Sequence, residues 1–542
     1  MARVPGGLAG QGRRAVGVLL ALAAVLAVLA AIGLRFWTTS ALWLDEAQSV
    51  AISRLPVPQL LDALRNDGSP PLYYLLLHAW SAQFGTGDFA VRSLSGLISM
   101  LTLPVMFRAG VRVGGTRRHG LLAAVVLAAN PWALRYATEA RMYALVALLV
   151  LLAGLALDRV MSAAGGPPGH GRRARWRPVV DIVLLGLATA GLLLTHYWAI
   201  FLLTVIGGVL LVQLRRPRRR APALRALAGL ALGAILFVPW LPSFLFQVRY
   251  TGAPWADVPG LARLAALPLE WSGGDTPPAR WLVLVMWPLL VLGAVAVPTV
   301  RRRATGALGP TPGRVLALVV VLTLVLALIA TRLTGSGIEV RYTAVVVPLV
   351  LLLITLGVRM LPRRQVAAVV AALVALGLLA GFDAARVQRT QAGDIAETID
   401  TIADSGDVVI YCPDQLAPAV ERLINPVGLV QVTVPRSREL APVNWVDYER
   451  RVEQTLGDAI ASGSVSRAQS GGAVWLLTSP RYRTHQRACE EVRRGLSRRG
   501  AKAQVMVPLD QKTYEYAVLE RWALKPAKSS GRSSAGTDLP GS

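Results

Sequence analysis

Cysteine is nearly absent: Cys412 and Cys489 are the two in 542 residues, and no CxxC or Cys/His spacing accompanies them. That argues against a zinc site. Both fall in the polar last third. Cys412 ends a strand-like run and Cys489 lies on a late helix-like one, so they meet only if that helix packs over the sheet; two buried free thiols are the expectation. Acidic residues are also sparse, 31 against 57 Lys and Arg, for a formal net charge of +26. In a soluble chain that excess would suggest nucleic acid, but the arginines cluster in short segments between apolar runs, and no aromatic-interleaved groove or nucleic-acid motif accompanies them. No nucleic-acid partner is expected. Lysine is scarce while arginine and alanine abound, a composition that suggests a high-GC bacterium and its plasma membrane.

What the chain has in quantity is apolar sequence. Hydrophobic residues make up 54% and the mean hydropathy is +0.50, which places most of the chain in lipid as a polytopic α-helical membrane protein. The first apolar run, roughly Ala15 to Leu34, follows Arg13 and Arg14 like a signal sequence. It lacks a small-residue cleavage site and many spans follow, so it reads as a retained first helix. Runs of spanning length recur near 15–34, 89–107, 119–134, 141–157, 179–197, 198–214, 226–240, 281–299, 315–331, 343–358 and 365–382, about eleven transmembrane helices.

The segments "RVGGTRRHG", "GHGRRARWRP", "LRRPRRRAPALR", "VRRRATGALGPTPGR" and "VRMLPRRQ" fall, by alternation, on the side of Arg3, Arg13 and Arg14. The positive-inside rule puts that side, and the N-terminus, in the cytoplasm. An odd span count then sends the Asp45–Glu46 loop, the Glu139–Arg141 segment, the loop from Leu241 to Arg280 and the C-terminal region outside. From about residue 383 the pattern changes. "GDIAETIDTIADSGD", "LAPAVERLIN" and "HQRACEEVRRGLSRRG" read as helices, and "VVIYC", "LVQVTVP", "AVWLLTS", "AQVMVP" and "YEYAVLERW" as strands. This implies an extracytoplasmic α/β domain with a largely parallel sheet. The expected organisation is a membrane domain over 1–382, the α/β domain over 383–524 and a disordered tail over 525–542.

Asp45 and Glu46 lie about ten residues past the first span, near the level of the lipid headgroups and exposed. Such a pair is ordinarily solvated or placed at a helix N-terminus. The following "AISRLPVPQLLDALRNDGSPPLYYLLLHAW" has Val57, Leu60, Leu61 and Leu64 on one helical face and a second helix opening at its paired prolines. Helices of this kind lie along a membrane surface and frame a cavity, with Tyr73, Tyr74 and Trp80 suited to the interface. In "NPWALRYATEARMYALVALL", Glu139 and Arg141 stand at the outer junction of two spans. Charges there default to function, and a local ion pair that fixes the turn explains them equally well. His196 in "LLLTHYWAIFLL" is by itself a packing residue, and Arg341 in "GIEVRYTAVVVPLV" either pairs with Glu339 or binds a phosphate.

In this order, "LDEAQS", "PPLYYLLLHAW" with "FAVRSLSGL", "EARMYAL" and "RYTAVVVPL" resemble the integral-membrane glycosyltransferases of the GT-C fold, in the family 39-like branch of protein O-mannosyltransferases and aminoarabinose transferases. The resemblance covers roughly residues 15–360 and leaves the α/β domain without an assigned activity. It implies a catalytic base at Asp45 with Glu46 as its neighbour. Substrate contacts are then expected from Asp67, Glu139, Arg141, His196 and Arg341, with the two arginines on a lipid-linked phosphate. The implied partners are a polyprenyl-phosphate sugar donor, a glycan, lipid or protein acceptor, and membrane lipid. A divalent cation is left open as a cofactor; Ser69 stands where Lys or His is expected before the paired prolines, a departure that weighs against a metal or phosphate role there. The residues support the same chemistry, since a carboxylate deprotonates the acceptor and cations steady the departing phosphate. The competing reading is a transporter or flippase of a lipid-linked sugar, which calls for charged or helix-breaking residues near the middle of several spans; here the charges collect at span ends.

Overall fold

The computed structural model describes residues 7–162, 172–251, 260–295, 311–335, 337–435, 440–468, 472–480 and 486–524. The tail expected to be disordered, 525–542, lies outside them, as do residues 296–310, which hold most of "VRRRATGALGPTPGR", and residues 163–171. The chain forms two compact units, Met1–Arg389 with Asn444–Tyr448, and Thr390–Val443 with Glu449–Ser542.

The first unit is a helical membrane assembly. Its elements are α1 (Gly7–Gly33), α2 (Leu44–Ser53), α3 (Val57–Asp67), α4 (Leu72–Phe84), α5 (Asp88–Gly114), α6 (Arg117–Ala129), α7 (Pro131–Ala137), α8 (Tyr143–Ser162), α9 (Arg172–Leu193), α10 (Ala199–Gln213), α11 (Pro217–Phe237), α12 (Leu241–Tyr250), α13 (Leu261–Trp271), α14 (Pro277–Val295), α15 (Pro312–Thr334), α16 (Val347–Val358) and α17 (Arg363–Arg386). Among the described residues the eleven apolar runs fall on helices, 119–134 on the pair α6 and α7. Among the described residues seven helices are long and apolar enough to cross a membrane, or eight if α6 and α7, bent by 60° at a short break, count as one span. Three expected runs fall on shorter apolar helices, Ala21–Gly33, Ala199–Gln213 and Val347–Val358. Two of these are short for a local reason. α10 starts only after a turn at Thr195–Trp198, and α16 only after the 3₁₀ segment Val340–Val345. Irregular backbone at such depth is tolerated where protein buries it, and both breaks present side chains to the site described below.

Small residues let the helices close. A Cβ added at Gly293 on α14 would collide with the Leu353 carbonyl on α16, and one at Gly357 with the Leu289 carbonyl. This is the close backbone approach that packs helices without help from water. Outside, the large apolar side chains of α1, Leu22, Val25, Leu26 and Leu29 among them, are exposed, as suits a lipid-facing helix. On α3, Leu60 and Leu64 are buried while Val57 is exposed, so the expected apolar face is narrower than its pattern.

The second unit holds a five-stranded sheet of order β2-β1-β3-β5-β4, with β1 Val408–Cys412, β2 Val430–Thr433, β3 Ala473–Thr478, β4 Lys502–Val507 and β5 Val518–Ala523. Central β1 and β3 are buried along their whole length, which is why they read as continuous apolar runs. Buried Asp407 accepts from Ala473 N at 2.7 Å and Trp475 Nε1 at 2.8 Å, fixing the start of β3 beside β1. The sheet is mixed rather than largely parallel. β1 pairs with β2 and β3 in parallel, but β5 runs antiparallel to both β3 and β4. The 508–517 connection from β4 to β5 contains no helix, and a parallel return needs a longer crossover. The expected free thiols are also corrected: Cys412 and Cys489, on the helix Gln486–Arg498, form a disulfide with Cα atoms 5.6 Å apart.

Candidate active site

α2 carries Asp45 and Glu46 in its first turn, where free N–H groups favour carboxylates. Consecutive helical residues point about 100° apart, so the two side chains enter different surroundings.

Asp45 keeps a side-chain exposure of 20%, and its Oδ2 lies 3.8 Å from Arg141 Nη2 and 3.6 Å from Arg341 Nη1. Arg141 leaves α7 through a tight turn in which its N–H donates to Glu139 O at 2.7 Å. Its Nη1 donates to Tyr74 Oη at 2.8 Å, Ser49 Oγ at 3.0 Å and Asp45 O at 3.4 Å. Tyr74 Oη in turn donates to Asp67 Oδ2 at 3.4 Å, and Gln48 Nε2 to Asp67 Oδ1 at 3.1 Å. Asp67 ends α3 because Gly68 takes a left-handed φ of 89°, which turns the chain toward α4. Arg341 projects from the 3₁₀ segment with its guanidinium 5.4 Å from the Trp43 ring and 5.5 Å from Tyr342. Glu339, one of the two expected partners of Arg341, pairs instead with Arg263 at 3.8 Å.

His196 joins this group through aromatic contacts, its ring 5.9 Å from Tyr143 and 5.4 Å from Tyr342. Its Nδ1 accepts from Trp198 N at 3.2 Å. The imidazole therefore packs behind the two arginines.

Glu46 is fully buried, which corrects the expectation of an exposed pair. Its Oε1 accepts from Arg92 Nε at 2.8 Å and Ala140 N at 2.9 Å, and its Oε2 from Arg92 Nη2 at 2.6 Å, with Arg389 Nη1 at 3.6 Å. Burial alone would raise this carboxyl, but Arg92, Arg389 and the Ala140 N–H outweigh it and hold it at about 2. Arg92 also donates to Ser40 O and Ala41 O, and Arg389 to Thr138 O and Oγ1, both at 2.6 Å. Glu139, buried as well, pairs with Arg135 one turn earlier and lies outside the Asp45 cluster. One carboxylate thus ties the residue after Asp45 to the residue before Arg141.

Asp45, Asp67, Arg141, Arg341 and His196 are brought together; Glu46 and Glu139 belong to the layer beneath. Sequence reasoning missed Arg92 and Arg389 as partners of Glu46, and read Tyr74 as an interface aromatic only. Arg92 lies within a quoted segment, whereas Arg389 stands beyond the region that carries the resemblance and gave no signal. Among the described residues no group of three His, Cys, Asp or Glu side chains is placed to hold a metal ion. The groups facing Asp45 are cationic, a donor set that does not suit a divalent cation.

No protein-family model and no curated protein matches the sequence. Among solved structures, ArnT from Cupriavidus metallidurans in the apo state overlaps with a TM-score of 0.53 at 14% identity, covering 94% of this chain and 98% of that one. The same protein bound to undecaprenyl phosphate gives 0.52 at 14% identity over 93% and 98%. The oligosaccharyltransferase from Archaeoglobus fulgidus tethered with an acceptor peptide gives 0.45 at 11% identity over 86% and 71%. The two ArnT overlaps run through nearly the whole of both chains, and this chain shares their GT-C fold.

Proposed function

We propose that the chain is a membrane glycosyltransferase that moves a sugar from a polyprenyl-phosphate-linked donor to an acceptor hydroxyl on the extracytoplasmic face, with Asp45 as the base. The observation that carries this reading is the placement of two arginines from different segments within 3.6–3.8 Å of one partly open carboxylate. The acceptor hydroxyl gives its proton to Asp45, its oxygen bonds to the anomeric carbon, and the bond from that carbon to the phosphate oxygen breaks. Arg141 and Arg341 take the charge of the departing polyprenyl phosphate, exchanging their contact with Asp45 for one with the phosphate. Glu46 positions both halves of the site without touching substrate, and Asp67 orients Arg141 through Tyr74. His196 backs the arginines. Glu139 is a structural partner of Arg135. The shared fold with ArnT, one of whose structures holds undecaprenyl phosphate, supports a lipid-linked donor.

The membrane domain, 1–382, carries this chemistry, with the α/β domain over 383–524 following it. Eleven spans with a cytoplasmic N-terminus, in a bacterial plasma membrane, place both on the same outer side. The repeated arginine segments support that orientation, and the disulfide supports an oxidising compartment for the α/β domain. Purified protein incubated with a panel of polyprenyl-phosphate sugars is expected to release polyprenyl phosphate from at least one. Binding of such lipids without release, in the presence of acceptor hydroxyls of glycan, lipid and peptide, would favour the transporter reading instead.

A further inference from the structure

A second recess lies at the opposite end of α5 and α8 from Arg92 and Tyr143. α5 and α9 both pack on α8 and leave between them a cleft of about 570 Å³. Three helix faces line it. Arg108 and Arg112 stand one turn apart on α5; α8 contributes Leu152 and, two turns on, Arg159; α9 contributes Leu187 and Ala188. The cleft is therefore apolar toward the middle of the helices and cationic toward their ends.

The three arginines differ in their partners. Arg112 pairs with Asp158, with Nε donating at 2.5 Å, and Arg159 pairs with Asp181 at 2.7 Å. No carboxylate among the described residues pairs with Arg108, which sits six residues inside the C-terminal end of α5, about 9 Å along the axis. Arg108 is exposed and stands just past the apolar run 89–107, at the level where a guanidinium meets lipid phosphates. Leu152 and Leu187, exposed beside it, offer an apolar wall that a soluble anion would not use.

We propose that this cleft binds an anionic glycerophospholipid, its phosphate on Arg108 and its first acyl methylenes along Leu152 and Leu187. A cleft of this volume accepts a phosphoglycerol head, with the remaining chain lying in the bilayer. The site is separate from the Asp45 cluster and does not rest on the glycosyl-transfer reading.

The test is native mass spectrometry of the purified full chain, titrated with dioleoyl phosphatidylglycerol or dioleoyl phosphatidylcholine. Wild type should retain phosphatidylglycerol in preference to phosphatidylcholine. Arg108→Ala should weaken phosphatidylglycerol about tenfold, the loss of one charge-assisted contact, and leave phosphatidylcholine unchanged. Leu152→Trp, which fills the cleft and keeps the charge, should weaken phosphatidylglycerol as well. Equal retention of the two lipids by wild type would overturn the proposal. So would an effect of Arg108→Ala with none of Leu152→Trp, which marks surface attraction without a cleft. Displacement of phosphatidylglycerol by equimolar undecaprenyl phosphate, lost in Arg108→Ala, would assign the cleft to polyprenyl lipid and likewise overturn it.

Discussion

The surroundings of Asp45 and of Glu46 are one residue apart in sequence and opposite in physics. Around Asp45 the cations stand at 3.6–3.8 Å, and the carboxylate is partly open. Around Glu46 three hydrogen bonds of 2.6–2.9 Å close in, with Arg389 at 3.6 Å beyond them, and the side chain is closed off. A loose pair exchanges partners when a ligand arrives; a saturated buried pair does not, because removing either member leaves an uncompensated charge in a low dielectric. On the proposed reading, the outer layer reacts while the inner layer holds it in place.

The sharpest way to break this comparison is to neutralise each carboxylate in turn. Asp45→Asn keeps the shape and loses the base, so release of polyprenyl phosphate should fall about 10²–10⁴-fold with the thermal midpoint nearly unchanged. Near-normal turnover would place the base elsewhere. Glu46→Gln should act through the fold instead, destabilising by about 3–5 kcal/mol as Arg92 and Arg389 lose their counter-charge, and should be read as a lowered unfolding midpoint in detergent. If Glu46→Gln unfolds like wild type yet loses activity, the two layers are not distinct.

A smaller effect is expected one shell outward. Arg141→Ala and Arg341→Ala should each weaken polyprenyl-phosphate binding about tenfold, the loss of one charge-assisted contact. Lysine at either position should restore part of it, since an ammonium keeps the charge without the planar fork. Arg141→Ala should cost more than Arg341→Ala, because Tyr74 and Ser49 also lose a donor. Titration with undecaprenyl phosphate, followed by intrinsic fluorescence or calorimetry, separates these cases. Unchanged affinity in both alanine variants would return the arginines to a structural role.

The outer layer was legible in the sequence and the inner one was not, for a physical reason. Asp45, Arg141 and Arg341 are charges at the ends of apolar runs, and Asp67 precedes the paired prolines, so each carries a local mark. The fate of Glu46 depends on Arg92, Ala140 and Arg389, which approach only after α5, α7 and the end of α17 have packed. No local pattern encodes that meeting, and the acidic pair therefore read as exposed. The helices of the membrane unit were similarly legible from hydropathy, and so was the break before α10, where the expected runs 179–197 and 198–214 meet; the 3₁₀ turn before α16 was not, because the expected run 343–358 begins inside it. In the sheet, strand existence followed from buried runs at β1 and β3; strand direction did not, since β5 enters between β3 and β4 through a pairing that the order of elements leaves open.

The finest test of the comparison is its dependence on pH. The Glu46 carboxyl is held at about 2 in the folded protein, below the value of about 4.3 for an unfolded glutamate. A depressed carboxyl contributes stability that is fully present above the unfolded value and is lost as pH falls through the folded one. The difference in unfolding midpoint between wild type and Glu46→Gln should therefore stay constant from pH 8 to about 5, and begin to close only below about 4.3. Salt should change it little, because the pair is closed to solvent. A gap that already narrows between pH 7 and 6 would mean that burial, rather than Arg92 and Arg389, governs this carboxyl. Glu46 would then not be locked by its arginines, and the division into a reactive and a locked carboxylate would fail.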